Sequence, residues 1–257
     1  MPDFRCFCEN LPDSIGSLVD LSPEESNHLV AANRAREGDP VRVFDGKGLE
    51  CDARLTNANK RKATLTLETI QRVPHPPFRI ALGQALPKGK LIESIIKKAT
   101  EIGIQEVYPL SSSRVESKID PKKASSKSAK WELAALEGAK QSGNPRPAEV
   151  HQVCSLPELL DLSQSYELKL IASLEEQAVS LKQHLARFSS SQNGKSPKSA
   201  IWLIGPEGDF TPEEYEQAYQ AGFLPTTLGP HVMRSETAAI HALSITHYEL
   251  NSFSNGE

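Results

Sequence analysis

The sequence contains little of what defines several classes of protein. Only 4 of its 257 residues are cysteine, too few for the disulfide framework of a small secreted domain. No stretch approaches the roughly 18 consecutive apolar residues that a membrane-spanning helix requires. The N-terminal residues also lack the apolar core of a signal peptide. We therefore expect a soluble, cytoplasmic protein without membrane contact.

Metal and phosphate motifs are absent as well. Cys6 and Cys8 lie two residues apart, Cys51 and Cys154 stand alone, and no second Cys or His pair has zinc-ligand spacing. We therefore expect free thiols and no metal site. The sequence also has no G-x-x-x-x-G-K-[ST] loop, no G-x-G-x-x-G turn after a first strand and no G-x-S-x-G elbow. These absences argue against a P-loop nucleotide enzyme, a dinucleotide enzyme and a serine hydrolase.

The composition that remains is mixed, and its charge is uneven. Hydrophobic residues make up 38% of the chain and charged residues 24%, which is typical of a globular protein with one large domain or two smaller ones. The net charge is −4, but residues 88–146 hold 12 Lys and Arg against 7 Asp and Glu. This basic segment permits contact with RNA or DNA, although a solvated surface explains the same excess.

The three prolines of Val73–Pro77 divide the chain, because proline continues neither a helix nor a central strand. Before them, alternating apolar and polar residues and an Asp45-Gly46 turn predict short strands. We therefore predict a small β-barrel domain over residues 1–73, with 73–77 as the linker. Its predicted elements are a helix capped by Ser22 and strands over 39–48, 49–55 and 63–70.

Strands and helices alternate over residues 74–257. This alternation predicts an α/β domain with a mostly parallel sheet that helices cover on both faces. The predicted strands are 78–86, 107–110, 168–172, 200–204 and 223–228. The predicted helices are 91–102, 127–141, 179–188, 211–221 and a last helix from Ser235 or Thr237 to about 250, with 189–197 as an exposed loop.

Two predicted strand ends carry unusual loops. One is Gly205-Pro206-Glu207-Gly208-Asp209, and the other is Gly229-Pro230-His231-Val232-Met233-Arg234. Ligands of open α/β sheets bind beyond the carboxyl ends of the strands, and glycine lets a ligand approach the backbone closely. These loops either hold a small, mostly neutral group such as an adenosine, or they are ordinary strand–helix connections.

The residues around both loops resemble the RsmE family of 16S rRNA uracil-N3 methyltransferases, which belong to the SPOUT class. The runs that carry the resemblance are Ile204–Thr211, Leu228-Gly229-Pro230 and Met233–Ala239. Further stretches agree in order over nearly the whole chain: Asn27-His28-Leu29 with Arg34 and Glu37-Gly38-Asp39, Ala85–Gly89 with Lys98–Gly103, and Trp131 with Gln141-Ser142-Gly143.

The resemblance implies a fold, a methyl donor and partners. It implies an RNA-binding PUA-like barrel over 1–73 and a SPOUT methyltransferase domain with a deep trefoil knot over 74–257. It also implies S-adenosylmethionine as methyl donor, a homodimer, and 16S rRNA or the small ribosomal subunit as substrate. The implied donor-binding residues are Leu203, Gly205, Pro206, Glu207, Gly208, Leu228, Gly229, Val232, Met233, Glu236 and Thr237.

Arg234 and Glu236 are the predicted catalytic residues. As uracil N3 loses its proton, negative charge spreads to the carbonyl oxygens, and a fixed arginine would stabilise that charge. The alternative for Arg234 is an ion pair with Glu207 or Glu236. The alternatives for Glu236 are to accept the proton or to hold a loop.

Five cations are predicted to contact RNA phosphates, which set affinity and register. They are Arg34, Lys88, Lys90, Arg114 and Arg146. Each is alternatively an ordinary surface cation, and Arg146 stands beyond the position at which the family usually has its arginine.

The sequence leaves two further functions open: a SPOUT methyltransferase with another target nucleotide or atom, and a non-catalytic RNA-binding protein that retains the fold.

Overall fold

The computed structural model describes residues 4–114 and 121–254, with side chains at 4–114 and 127–251. The chain folds into two compact units. The first comprises Met1–His75 and Ala139–Pro147, and the second comprises Pro76–Gly138 and Ala148–Glu257. The segment Ala139–Pro147, which the predicted domain boundaries place in the second domain, thus packs with the first unit.

The first unit is built on a six-stranded sheet. Its strands are β1 (Phe4–Phe7), β2 (Leu18–Asp20), β3 (Pro40–Phe44), β4 (Leu49–Asn57), β5 (Thr64–Leu67) and β6 (Gln71–Arg72). They lie in the order β1-β3-β4-β5-β2, and β6 also pairs with β4. The β1–β3 pair is parallel and the other pairs are antiparallel. A short helix α1 (Pro23–Asn27) and a π-helical turn (His28–Ala32) follow β2.

The local sequence explains these elements. Ser22 caps α1 by accepting a hydrogen bond from the Glu25 backbone N–H (3.2 Å). Asp45 closes the turn between β3 and β4 by accepting from the N–H groups of Lys47 (2.6 Å) and Leu49 (2.9 Å). Alternate residues of the strands then fill one apolar core that includes Val41, Val43, Leu55, Leu65 and Leu67.

The second unit is built on a seven-stranded sheet in which every pair of strands is parallel. This parallel sheet confirms the predicted mixed α/β class. The strands are β7 (Arg79–Ala85), β8 (Glu106–Ser111), β9 (Glu149–Val150), β10 (Cys154–Ser155), β11 (Leu168–Ala172), β12 (Ser199–Ile204) and β13 (Leu224–Thr226). They lie in the order β10-β8-β7-β12-β11-β13, and β9 also pairs with β8.

Helices connect these strands, and their ends carry the expected signals. The helices are α2 (Leu91–Ile102), α3 (Pro121–Ser142), α4 (Leu156–Leu162), α5 (Leu181–Ser191), α6 (Pro212–Gln220) and α7 (Ser235–Ser254). Gly103 ends α2 in the left-handed conformation (φ 94°), and Thr211 opens α6 with a capping box and a proline in the first turn. The same capping box opens α4 at Ser155 and α5 at Ser180.

The core of the second unit lies between the sheet and its helices. Trp202 at the centre of β12 is fully buried, and its indole N–H donates to Thr246 Oγ1 of α7 (2.8 Å). The helix α7 packs against α2, β7 and β12, which fixes its first turn next to the carboxyl ends of these strands. Within residues 4–114 and 121–254, every helix is too short or too polar to cross a membrane.

Candidate functional site

A cavity of about 330 Å³ lies beyond the carboxyl ends of β11, β12 and β13, where a parallel sheet places its ligand sites. The loops after these three strands and the first turn of α7 supply its walls, so that residues from 172 to 238 form it. The lining residues are Ala172, Ser173, Leu174, Ile204, Gly205, Pro206, Glu207, Asp209, Leu228, Gly229, His231, Val232, Met233, Arg234, Ser235 and Ala238.

The loop after β12 is a tight turn held by its own polar groups. The Asp209 N–H donates to the Pro206 carbonyl oxygen (2.9 Å), and Asp209 has the left-handed φ of 60°. Asp209 Oδ1 accepts from the Phe210 N–H (2.8 Å) and the Tyr215 hydroxyl (3.0 Å). A Cβ on Gly205 would lie 3.0 Å from that same oxygen, so any other residue would have to displace the Asp209 side chain slightly.

Tyr215 keeps its proton in this arrangement. Burial raises the pKa of its hydroxyl, and the neighbouring Asp209 carboxylate raises it further. The hydroxyl therefore donates to Asp209 over the whole physiological range. It also lies 3.3 Å from the Ala172 carbonyl oxygen at the end of β11, so the hydroxyl is positioned between two of the three cavity loops.

The loop after β13 contributes the exposed side of the cavity. Gly229 has φ 124°, a backbone conformation that favours glycine. Val232 in this loop is 78% exposed, and Leu174 after β11 is 67% exposed. Two large aliphatic side chains thus stand on the rim of the cavity, where a ligand or a partner can cover them.

Arg234 lines the cavity and is exposed. Within residues 4–114 and 127–251, its guanidinium has no hydrogen-bond or ion-pair partner. The alternative ion pair with Glu207 or Glu236 is therefore not formed there. Glu207 instead accepts a hydrogen bond from the backbone N–H of Lys88 (3.0 Å), which joins the cavity to the loop between β7 and α2.

Four of the predicted donor-binding residues do not line the cavity. Leu203 is fully buried inside β12. Gly208 lies against the Arg114 side chain. Glu236 and Thr237 follow Ser235 on α7, and a rotation of about 100° per residue turns both away from the face that Ser235 and Ala238 share. Glu236 there is a carboxylate in the first turn of a helix, which interacts favourably with the helix dipole.

The third loop of the cavity, which carries Ser173 and Leu174, was not predicted. Its residues have no glycine or proline motif that marks a ligand loop. The signal that identifies them is the pairing of β11 with both β12 and β13, which local sequence patterns do not show.

Two of the predicted RNA-contacting arginines are bound within the protein. Arg114 Nη1 donates to the carbonyl oxygens of Gly208 (2.7 Å) and Phe210 (3.3 Å), so it holds the loop after β12. Arg146 donates to the carbonyl oxygens of Lys47 and of Val73 (2.9 Å) in the first unit. Both guanidinium groups thus have structural roles that the sequence alone did not reveal.

The other three predicted cations are exposed. Arg34 follows the π-helical turn of the first unit and has a left-handed φ of 60°. Its long, charged side chain therefore extends from a tight turn of the backbone. Lys88 and Lys90 lie in the loop between β7 and α2, whose backbone is bonded to Glu207 of the cavity.

Lys90 is one of the residues that line a second, smaller cavity of about 170 Å³. Lys127 and Lys130 of α3 also line it, together with one carboxylate, Glu93. Within residues 4–114 and 127–251 these three lysines have no ion-pair partner, so the cavity keeps an excess of positive charge. Lys127 and Lys130 were not among the predicted RNA contacts, because charge along a helix does not by itself indicate which face carries it.

Comparison with known proteins identifies the family. A family model described as an RNA methyltransferase domain matches residues 74–247, and one described as an RNA methyltransferase PUA domain matches residues 21–68. Ribosomal RNA small subunit methyltransferase E of Bacillus subtilis is 31% identical over 231 residues, which cover 89% of this chain and 89% of that protein.

Solved structures agree with the sequence matches. The Neisseria gonorrhoeae ribosomal RNA small subunit methyltransferase E, bound to S-adenosyl methionine, gives a TM-score of 0.83 at 28% identity, covering 97% of this chain and 98% of that one. A Legionella pneumophila protein in complex with the same cofactor gives 0.86 at 29% identity, covering 96% and 97%. The resemblance carried by the two loop motifs is thereby confirmed: the chain belongs to the ribosomal RNA small subunit methyltransferase E family.

Proposed function

We propose that this chain transfers a methyl group from S-adenosylmethionine to N3 of a uridine in 16S rRNA. Membership in the family makes the chain a ribosomal RNA methyltransferase. The 16S rRNA of the small subunit follows from the names of the relatives, and N3 of uracil follows from the resemblance of the loop motifs. The observation that carries the proposal is the cavity between the loops after β11, β12 and β13.

The residues of this cavity fit the proposed methyl donor. Backbone groups of Gly205 and Gly229 are accessible in its wall, and Leu228, Val232 and Met233 offer apolar contacts. An adenosine is recognised by such a combination of backbone groups and apolar walls. When bound, S-adenosylmethionine supplies a methyl group that is activated for displacement by its sulfonium. Pro206 and Glu207 complete the set that we propose to hold it.

The target base determines what Arg234 has to do. N3 lies on the Watson–Crick edge of uracil, so the base must be unpaired before it can react. Deprotonation of N3 puts negative charge on the two carbonyl oxygens, and a cation already in place stabilises that charge. Arg234 lines the cavity and has no partner among the side chains that the structure describes, so we propose that it is the catalytic cation. The position of Glu236 supports the alternative in which it stabilises the helix end and its loop.

The RNA backbone has a proposed site beside the donor cavity. Lys90, Lys127 and Lys130 surround the second cavity, and the loop that carries Lys90 is bonded to Glu207. We propose that these lysines bind phosphates of the RNA that flank the target nucleotide. Arg34 and Lys88 are exposed and can add contacts, whereas Arg114 and Arg146 act mainly within the protein.

We further propose that the chain is a homodimer formed by its second unit. The exposed Leu174 and Val232 at the cavity rim support this, because large exposed aliphatic side chains at a functional site indicate a surface that is covered in the assembly. Light scattering of the full chain should give about twice the monomer mass of 28.2 kDa. A mass near that of the monomer at micromolar concentration would contradict the dimer.

Methylation of purified RNA tests the function. The protein is incubated with S-adenosylmethionine and either 16S rRNA or assembled small subunits, and the nucleosides are then analysed by mass spectrometry. We expect 3-methyluridine from one of the two substrates. A methyl group on another nucleotide or atom would favour the alternative target. Absence of S-adenosylmethionine binding by calorimetry would favour a non-catalytic RNA-binding protein.

A further inference from the structure

A buried glutamine joins three segments of the second unit next to the cavity wall. Gln84 on β7 is fully buried. Its Nε2 group donates to the carbonyl oxygen of Ala85 (2.8 Å) and to Ser235 Oγ (2.9 Å). Ser235 Oγ in turn donates to the carbonyl oxygen of Gly205 (2.6 Å). Ser235 and Gly205 both line the cavity, so the glutamine reaches the cavity only through the serine.

The amide determines the direction of each hydrogen bond in this chain. A serine hydroxyl has one proton, and Ser235 Oγ already accepts an N–H from Gln84. Its proton is therefore directed to the Gly205 carbonyl oxygen. The reversed amide orientation would set Gln84 Oε1 against the Ala85 carbonyl oxygen, two acceptors without a proton between them. The backbone of β7 thus fixes the orientation of the amide.

This arrangement leaves one polar atom without a partner. Gln84 Oε1 is buried and makes no hydrogen bond within the part of the chain that the structure describes. A buried acceptor without a partner is costly, and an apolar side chain of similar length would avoid the cost. A stability cost of this kind is expected where the remaining groups of the side chain serve the function of the site.

We propose that Gln84 is a positioning residue for the methyl donor: through Ser235 it fixes the Gly205 carbonyl in the cavity wall. This inference rests on the proposed function, since it takes the donor to bind in this cavity. The Gly205 carbonyl oxygen has two lone pairs, and Ser235 uses one of them. The peptide group is thereby held in one orientation, and the second lone pair is available to a donor group of the ligand.

The substitution Gln84→Glu tests the direction of the hydrogen bonds. An ionised carboxylate accepts the Ser235 proton, which is then lost to the Gly205 carbonyl. The protonated acid has one proton, which it can donate to Ser235 while the bond to Ala85 is given up. Burial raises the pKa of a carboxylic acid, so both forms are accessible between about pH 5 and about pH 8. We expect S-adenosylmethionine to bind the variant about tenfold more weakly than wild type at the alkaline end.

As the pH falls, that difference should shrink, while circular dichroism at each pH verifies that both proteins are folded. The measured quantity is the ratio of the two dissociation constants by calorimetry. The charged and titratable groups that also line the cavity, His231, Glu207, Asp209 and Arg234, are the same in both proteins, so the ratio isolates the substitution at position 84. A ratio that does not change with pH would overturn the proposed proton direction.

A double-mutant cycle tests the chain of contacts. Gln84→Met and Ser235→Ala should each weaken S-adenosylmethionine binding severalfold. The double variant should bind no more weakly than the weaker single variant, because each substitution interrupts the same chain of hydrogen bonds from Gln84 through Ser235 to Gly205. Additive losses would overturn the proposal. If the Gln84 variants do not fold, Ser235→Thr, which keeps a hydroxyl, should bind more tightly than Ser235→Ala; equal affinities would overturn the proposal.

A matched control separates positioning from general destabilisation. Thr246 is also fully buried on α7, where its hydroxyl donates to the Ala242 carbonyl oxygen (2.8 Å). Thr246→Val should lower the melting temperature and leave S-adenosylmethionine affinity unchanged. If wild type itself does not bind S-adenosylmethionine, the proposed function fails. If wild type binds and the Gln84 variants bind equally well, only the role of Gln84 is wrong.

Discussion

Arg234 is an arginine that faces a cavity without a counter-ion among the described residues. If it stabilises the charge that develops on uracil, Arg234→Ala should slow methylation about a hundredfold or more. RNA binding should weaken far less, because one side chain among many cations changes. Single-turnover methylation and RNA titration measure the two effects separately. Methylation at the wild-type rate would remove Arg234 from the catalytic machinery.

Asp209 adopts an unfavourable backbone conformation, but its side chain makes two favourable hydrogen bonds. Its left-handed φ of 60° favours glycine, but its carboxylate holds the Phe210 N–H and the Tyr215 hydroxyl. We expect Asp209→Ala to lower the free energy of unfolding by about 2 kcal/mol, because the bonds are lost and the strained φ remains. Asp209→Gly should cost less, and Asp209→Asn, which keeps an oxygen acceptor, should cost least. Urea unfolding gives the order, and a different order would show that the carboxylate does not hold the turn.

At the scale of elements, α6 holds the loop after β11 through a tyrosine. The Tyr219 hydroxyl donates to Glu175 Oε2, and Ser173 and Leu174 of that loop line the cavity. Burial and the bond to Glu175 raise the pKa of Tyr219 from 10.0 to about 12. Because the folded-state pKa is the higher one, its contribution to stability is complete below pH 10 and is lost as the pH rises through about 12.

The variant Tyr219→Phe tests this contribution. It should unfold at lower urea concentration than wild type at neutral pH, and the difference should decrease between about pH 10 and about pH 12. A Tyr219→Phe difference that is independent of pH would assign the effect to packing instead of the hydroxyl.

Elements with local end signals were predicted well from the sequence. Gly103 ends α2 and Thr211 opens α6 where expected, because each signal acts on the backbone next to it. The prediction was wrong for residues 189–191, which continue α5. There the hydroxyls of Ser190 and Ser191 donate back to carbonyl oxygens of the same helix (2.9 and 2.8 Å), which satisfies groups that a loop would expose to water. The predicted start of α3 at Lys127 was six residues late, because the segment that begins at Pro121 has no apolar residues at helical spacing.

At the scale of the whole molecule, the lysine-lined cavity predicts the salt dependence of RNA binding. Each phosphate contact contributes about −0.9 to the slope of log affinity against log salt on a duplex and about −0.7 on a single strand. Replacing Lys90, Lys127 and Lys130 with alanine should therefore reduce the steepness of the slope by about two to three units. Filter binding of 16S rRNA at several salt concentrations measures it, and an unchanged slope would show that these lysines do not contact phosphates.

Two control variants separate phosphate contact from other effects of charge. Lys195 is exposed in the loop before β12, at the edge of the sheet opposite to the cavity, and Lys195→Ala should leave the slope unchanged. Arg146→Ala should instead destabilise the protein by about 2 kcal/mol, because its guanidinium holds two backbone carbonyls. A wild-type urea midpoint for Arg146→Ala would contradict that structural role.

The site could be predicted from sequence only where one loop carries its own motif. The two glycine–proline loops were identified because glycine and proline at a strand end have a local physical meaning. The third loop, at Ser173, depends on the pairing of β11 between β12 and β13, and Gln84 depends on its position opposite Ile204 across β7 and β12. Both are relations between distant parts of the chain. The trefoil knot implied by the resemblance stays a prediction, since strand order does not define how the chain is threaded.

The pairing of β7 with β12 also has a consequence for biosynthesis. Arg79 pairs with Ser199 at the centre of the sheet, so the two middle strands of the second unit are separated by more than a hundred residues of chain. Contacts of such high sequence separation slow folding, and a nascent chain cannot form them until β12 has left the ribosome. The strands of the first unit end at Arg72, and its last segment ends at Pro147, so this unit can fold before β12 has been synthesised. The cavity that we propose for the methyl donor, whose residues begin at Ala172, therefore forms late in synthesis, after β12 has emerged.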